Sequence, residues 1–176
     1  ASTEDFADHM SGIDALIERG IVDEQNLFIT GGSAGGIAAA YAIGLTDRFN
    51  AAVAAKPVIN WISKTLTADS MVGQIYRQFP GPPWEHLDHY WKRSPLSLVG
   101  NVITPTLLIT GEEDRRTPIS ETEQFYQALR LRGVDSAMVR LPDTSHGIAS
   151  RPSRLITKVD HILAWFERYQ DEAQDY

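Results

Sequence analysis

Short apolar segments alternate with longer amphipathic segments along the whole chain, and this alternation is the strongest constraint on its fold. Four segments, residues 26–30, 50–59, 106–110 and 136–141, are short, apolar and bounded by polar, Gly or Pro residues, which is typical of buried strands. Helical periodicity predicts helices over residues 5–19, 37–45, 119–132 and about 153–169. Strands that are apolar throughout and alternate with helices predict an α/β fold with a mostly parallel sheet and helices on both faces.

Residues 61–93 interrupt this alternation. They hold three of the four tryptophans, Trp61, Trp84 and Trp91, and a Pro-Gly-Pro-Pro break at residues 80–83. We predict two short helices joined by a rigid turn, which form a small helical cap inserted into the fold. No other boundary is visible, so residues 1–176 are expected to form one domain.

Composition excludes several classes of protein. The 176 residues carry a net charge of −7, which is unlike the basic surface of a nucleic-acid-binding protein. The absence of cysteine excludes a disulfide scaffold, a thiolate nucleophile and a zinc site made of cysteines. No apolar stretch reaches the length of a membrane span, and the first ten residues do not resemble a signal peptide, so a cytoplasmic location is predicted. No cofactor and no metal are expected, because His86 and His89 are more typical of a polar helix face than of a ligand pair.

The segment Gly31-Gly32-Ser33-Ala34-Gly35 matches the pattern G-x-S-x-G between a predicted strand and a predicted helix. In that context the pattern is typical of a sharp turn that exposes a nucleophilic serine at the carboxyl edge of a sheet. The Ala34 N–H, at the start of the helix, is then expected to donate to an oxyanion. The alternative is a Gly-rich turn that binds a phosphate or no ligand, although neither a P-loop lysine nor dinucleotide-binding spacing is present.

Asp114 and His146 follow the third and fourth predicted strands. Taken singly, each is more typical of a solvated turn or loop, and the neighbouring Glu113 fits that interpretation better still. Taken with Ser33, they give the chain order Ser…Asp…His that α/β-hydrolases use. Because the carboxyl ends of parallel strands meet at one edge, the three side chains are expected to converge. His146 would then act as the base for Ser33, and Asp114 would orient the imidazole.

In combination, several segments resemble the C-terminal catalytic domain of the prolyl oligopeptidase family, nearest to acylaminoacyl peptidases and dipeptidyl peptidases. They are residues 5–36, 56–61, 93–99, 104–133 and 141–148. The resemblance implies a partial α/β-hydrolase fold and a serine peptidase acting on short peptides or acyl-amino acids. It implies Ser33 as nucleophile, Asp114 as acid and His146 as base. It also implies that Val58, Trp61 and Thr117 line the pocket for the residue before the scissile bond.

The chain departs from this family at its front. Family members have several strands, and usually a propeller domain, before the first helix seen in this sequence, and a second oxyanion donor lies there. We therefore expect the chain to be a fragment of a longer protein. The strand at residues 26–30 would then be an open sheet edge, which predicts a homo-oligomer or association through that edge. Three alternatives to a peptidase remain, namely a carboxylesterase with the same triad, a thioester hydrolase, and a non-catalytic fragment or binding module.

Overall fold

The computed structural model describes residues 3–70, 73 and 75–170. Its sheet consists of β1 (Phe28–Gly32), β2 (Ala51–Ala55), β3 (Thr106–Gly111) and β4 (Ser136–Leu141). The strands follow one another in the order β1-β2-β3-β4, and all three pairings are parallel. The predicted parallel sheet is therefore confirmed, and β1 and β4 are its two edges.

Seven α-helices accompany this sheet in the described part of the chain. They are α1 (Thr3–Glu18), α2 (Ala34–Ala42), α3 (Trp61–Thr67), α4 (Ile75–Gln78), α5 (Leu87–Lys92), α6 (Ile119–Leu131) and α7 (Pro152–Arg168). Short 3₁₀ helices cover Pro95–Asn101 and Ile148–Ser150. Glycines follow α1 and α6 with left-handed backbone, at φ 66° for Gly20 and 72° for Gly133, and this conformation ends both helices where the sequence predicts.

Both faces of the sheet are covered, and β2 shows why its sequence is apolar throughout. All five residues of β2 are buried. Ala52 and Ala54 face a core formed with α1, α2 and α6, whereas Val53 and its neighbours on the other face pack against α7 through Trp165. The sheet is thus the middle layer of three, with loops meeting at the carboxyl ends of its strands.

Several elements differ from the sequence-based prediction, and the helix predicted at residues 37–45 is α2, which begins and ends three residues earlier. The first strand lies two residues later than predicted and runs into the glycine motif. The second ends at Ala55 and not at residue 59, because Lys56 turns into left-handed backbone at φ 42° and Pro57 follows. The described residues between 61 and 93 form three short helices and not the two predicted. These pack through a third cluster, formed by Ile37, Val58, Trp61, Phe79 and Tyr90.

Candidate active site

Ser33 forms the sharp turn between β1 and α2. Its backbone has φ 59° and ψ −116°, a conformation that costs a residue with a side chain about 1–3 kcal/mol. A Cβ atom on Gly31 would lie 2.3 Å from the Gly35 carbonyl, and one on Gly36 would lie 2.6 Å from the carbonyl oxygen of Ala55. The turn therefore requires glycine at positions 31 and 36, whereas a Cβ on Gly35 would meet no atom within 4 Å.

Asp114 is a buried acid in the loop after β3. It is 4% exposed, whereas its neighbours Glu112 and Glu113 are exposed. Its Oδ1 atom accepts hydrogen bonds of 2.9 Å from the backbone N–H groups of Arg116 and Thr117. These bonds fix the short side chain within its own turn, and they leave Oδ2 free to face the loop after β4.

His146 joins the two. Its Nδ1 atom lies 2.8 Å from Asp114 Oδ2, and its Nε2 atom lies 3.0 Å from Ser33 Oγ. With the proton on Nδ1 donated to Asp114, Nε2 is free to accept the proton of the Ser33 hydroxyl. The structure thus brings together the three residues that the sequence singled out, in the geometry that activates a serine hydroxyl.

The loop that carries His146 packs tightly against the end of β3. The Glu113 N–H donates to the Thr144 carbonyl at 3.0 Å, and a Cβ on Gly111 would lie only 2.0 Å from that same oxygen. This close approach of two backbones explains glycine at position 111. It also holds His146 at a fixed distance from Asp114.

Ala34 is the first residue of α2 and is exposed beside Ser33. The Ser33 N–H is already used, because it donates to the Ala55 carbonyl at 3.0 Å. Of these two adjacent amides, that of Ala34 is therefore the one suited to an oxyanion, and its role stays a prediction.

Thr117 lies against the Asp–His pair. Its hydroxyl oxygen is 3.1 Å from Asp114 Oδ2, 3.1 Å from the Lys56 carbonyl oxygen and 3.3 Å from His146 Nδ1. The side chain is buried, at 3% exposure. From the sequence, Thr117 was expected only as a pocket residue, and its contact with Asp114 was not predicted.

Lys56 is a second neighbour that sequence reasoning missed. Its ammonium donates to the His146 carbonyl oxygen at 2.6 Å. Partial burial and the nearby Lys158 ammonium lower the pKa of Lys56, and Asp114 opposes that shift. The only signal in the sequence was a single lysine inside the otherwise apolar segment of residues 50–59.

Val58 and Trp61 are buried, at 2% and 8% exposure, in the third cluster. The Trp61 and Phe79 rings are 5.2 Å apart, and Phe79 stacks on Tyr90 at 4.1 Å. The contact of Val58 and Trp61 with a substrate side chain stays a prediction.

Glu121 fixes the backbone that leads into α3. This fully buried carboxylate accepts hydrogen bonds from the N–H groups of Ile59 and Asn60, at 3.0 and 2.8 Å, and from the Ser63 hydroxyl. Burial raises the pKa of Glu121, and these hydrogen bonds oppose the rise. The segment next to Val58 and Trp61 is therefore held by a buried acid that sequence reasoning did not single out.

The described residues offer neither a metal site nor a membrane-spanning helix. Within residues 3–70, 73 and 75–170, no three His, Asp or Glu side chains are grouped so that they could hold a metal ion. None of the helices described is both long and apolar enough to cross a membrane.

Known proteins with similar sequences are peptidases. An uncharacterized peptidase of Bacillus subtilis, YuxL, is 35% identical over 171 residues, which are 94% of this chain and 26% of that protein. The acylamino-acid-releasing enzyme of Arabidopsis thaliana is 32% identical, over 95% of this chain and 23% of that enzyme. The chain thus spans about a quarter of the length of these relatives.

Solved structures show the same architecture. The Pyrococcus horikoshii acylaminoacyl peptidase matches with a TM-score of 0.90 and 27% identity, over 98% of this chain and 28% of that one. A puromycin-hydrolyzing peptidase of Mycobacterium tuberculosis matches with a TM-score of 0.85 and 28% identity, over 94% of this chain and 25% of that one. The shared fold is that of the α/β-hydrolases, as the sequence predicts. Residues 1–173 match the sequence model of the prolyl oligopeptidase family, and the chain belongs to that family.

Proposed function

We propose that this protein is a serine peptidase that cleaves short peptides or acyl-amino acids through an acyl-enzyme on Ser33. The observation that carries the proposal is the continuous hydrogen-bonded line from Asp114 through His146 to Ser33. Membership of the prolyl oligopeptidase family and similarity to acylamino-acid-releasing enzymes support the substrate class.

In the first half of the reaction, His146 Nε2 takes the Ser33 hydroxyl proton while Oγ forms a bond to the acyl carbon. The negative charge that develops on the acyl oxygen is stabilised by the Ala34 N–H at the start of α2. His146 then gives its proton to the leaving nitrogen, and the carbon–nitrogen bond breaks. The products of this half are the free amine and an ester between the acyl group and Ser33.

In the second half, His146 takes a proton from water, and the hydroxide oxygen bonds to the acyl carbon of the ester. The bond to Ser33 Oγ breaks, and His146 returns the proton to Oγ. Asp114 stays ionised throughout, because its task is to orient the imidazole and to stabilise its positive charge.

Substitution of the three residues tests this mechanism in the full-length gene product. Ser33→Ala and His146→Ala are each expected to lower kcat by several orders of magnitude, because triad members act as a unit. Asp114→Asn is expected to cost about 10⁴-fold, since it favours the wrong imidazole tautomer. Glu113→Gln is the matched control, since this neighbouring acid is exposed. If Glu113→Gln were the damaging change and Asp114→Asn mild, the assignment of the acid would be wrong.

Two assays identify the reaction class. A fluorophosphonate probe is expected to label the parent protein and not Ser33→Ala. Acyl-amino acid anilides are expected to be hydrolysed with kcat/KM well above that of the Ser33→Ala variant. Hydrolysis of p-nitrophenyl esters alone, with anilides untouched, would contradict the peptidase proposal and would indicate a carboxylesterase.

A further inference from the structure

Lys56 stands at the end of β2, the strand between the one that leads to Ser33 and the one that leads to Asp114. No triad member follows β2. The Lys56 N–H donates to the Ile109 carbonyl at 2.7 Å, so its backbone is fixed to β3. From this anchored position, the Lys56 ammonium contacts His146, and the Lys56 carbonyl contacts Thr117 beside Asp114.

On the histidine side, the Lys56 ammonium donates to the His146 backbone carbonyl at 2.6 Å. On the aspartate side, the Lys56 carbonyl lies 3.1 Å from the Thr117 hydroxyl, which is itself 3.1 Å from Asp114 Oδ2. A charged donor makes a stronger hydrogen bond than a neutral one, so the contact with His146 is the firmer of the two.

The backbone of Lys56 adds a second, independent observation. Its φ of 42° lies in the left-handed region, where glycine and asparagine are far better suited than lysine. The other non-glycine residues with positive φ in the described chain are Ser33 and Asp143, which also follow strands of this sheet. Strain of this kind is typical of positions where the side chain is needed for function.

The end of the Lys56 side chain lies beside the serine turn. Its Cε atom would lie 3.5 Å from a Cβ on Gly32, next to the serine turn. The Lys158 ammonium lies 3.8 Å from that same Cβ position on Gly32, and it repels the Lys56 ammonium. The ammonium therefore lies near a like charge and partly out of water, and its bond to the His146 carbonyl offsets part of that cost.

We propose that Lys56 is a positioning residue for His146, holding the loop after β4 so that Nε2 stays within hydrogen-bond reach of Ser33 Oγ. The proposal rests on the proposed function, because it assigns Lys56 no contact with the reacting atoms. Without the ammonium, the His146 carbonyl keeps only the Ile148 N–H, at 3.1 Å, as a donor, and the loop that carries the imidazole is held less firmly toward Ser33. A displacement of about 1 Å in such a site is enough to lower turnover by about 100-fold.

The test compares four variants of the full-length gene product in the anilide assay. Lys56→Met removes the ammonium and keeps the apolar stem. Lys56→Asn also removes it, in a residue that tolerates left-handed backbone, and so gives a folded variant if Lys56→Met does not fold. Lys56→Arg keeps a positively charged donor, and Lys158→Met is the control for loss of nearby charge without loss of the bond.

We expect kcat to fall about 10- to 100-fold in Lys56→Met and Lys56→Asn, with KM changed less than about 2-fold. Lys56→Arg is expected to recover most of the parent kcat, and Lys158→Met to retain it. Parent-like kcat in both neutral Lys56 variants would overturn the proposal. An equal loss in Lys158→Met would also overturn it, because charge and not the bond would then be the cause. A parent protein without hydrolase activity would instead refute the proposed function.

Discussion

Alanine substitutions within the glycine motif separate the glycines that the turn requires from those that merely match the pattern. We expect Gly31→Ala to be strongly destabilising, because its Cβ would lie 2.3 Å from both the carbonyl carbon and the oxygen of Gly35. Gly35→Ala is the matched control one turn away. It places the same methyl group where no atom lies within 4 Å, at a helical position with ordinary backbone.

The expected magnitudes have opposite signs. Overpacking a filled site costs typically about 1–3 kcal/mol, and Gly31→Ala should lie at the upper end because both partners are backbone and neither can rotate away. Gly35→Ala should gain up to about 1 kcal/mol, since alanine replaces glycine inside α2. For a chain of this size, about 1 kcal/mol corresponds to roughly 2–4 °C in Tm. The two variants should therefore melt on opposite sides of the parent, about 10 °C apart.

Thermal unfolding followed by circular dichroism, with urea unfolding as a second measurement, decides the matter. Gly36→Ala should behave like Gly31→Ala, because its Cβ would lie 2.6 Å from the Ala55 carbonyl oxygen of β2. The reasoning is refuted if Gly35→Ala lowers Tm as much as Gly31→Ala does. That result would mean that the motif, and not the measured approach of the two backbones, sets the requirement for glycine.

Three further predictions concern residues around the site and the sheet edge. Thr117→Val is expected to lower kcat by up to about 10-fold, because the valine methyl group cannot replace the hydroxyl between Asp114 Oδ2 and the Lys56 carbonyl. Thr117→Ser should restore the parent kcat, and an unchanged kcat in Thr117→Val would count against this. Glu121 has a raised pKa when folded, so its contribution to stability is present below about pH 4.5 and is lost as pH rises through the folded value. The unfolding free energy of the parent should therefore fall relative to that of Glu121→Gln as the pH rises above about 4.5, and a constant difference in urea unfolding would contradict it. Because β1 is an edge of the sheet beside a groove of about 740 Å³, the 176-residue chain is expected to sediment as oligomers. Thr30→Lys, at an exposed residue of β1, should shift these oligomers toward monomers, and a monomeric parent would refute the prediction.

The sheet, and the meeting of Ser33, Asp114 and His146 at one of its edges, were the features best predicted from sequence. Strands buried on both faces leave a continuous apolar run such as that of β2, which is visible without any structure. Ser33, Asp114 and His146 were identified by their order and by where each strand ends. Their convergence followed from parallel strands alone, because all the carboxyl ends lie on one edge.

The choice between Asp114 and Glu113 needed more than the residue types. Both are acids in the same turn, and the pattern after β3 fits either. The structure shows the physical difference, since only the short Asp114 side chain folds back onto the N–H groups of Arg116 and Thr117. Such a turn-closing side chain is typical of aspartate and not of glutamate.

Residues 61–93 were predicted least well, for a different reason. Helices as short as α4 and α5, with four and six residues, have no stability of their own. They are held by long-range contacts, such as the stacking of Phe79 on Tyr90 and the hydrogen bond from the Tyr90 hydroxyl to the Gly81 carbonyl at 2.8 Å. A local sequence pattern does not show such long-range contacts, so it could not predict the number of helices.

The errors at strand ends share one cause, and that cause lies at the candidate site. The ends of β1 and β2 were misplaced where Ser33 and Lys56 adopt left-handed backbone, which local propensity disfavours for both residue types. The end of β4 was predicted correctly because Pro142 marks it in the sequence. Conformations that propensity disfavours persist only where surrounding contacts impose them, here the Ala55 carbonyl on Ser33 and the Ile109 carbonyl on Lys56. Local propensity therefore fails at Ser33 and at Lys56. At these two positions the edge of the sheet directs a serine hydroxyl and a lysine ammonium toward His146.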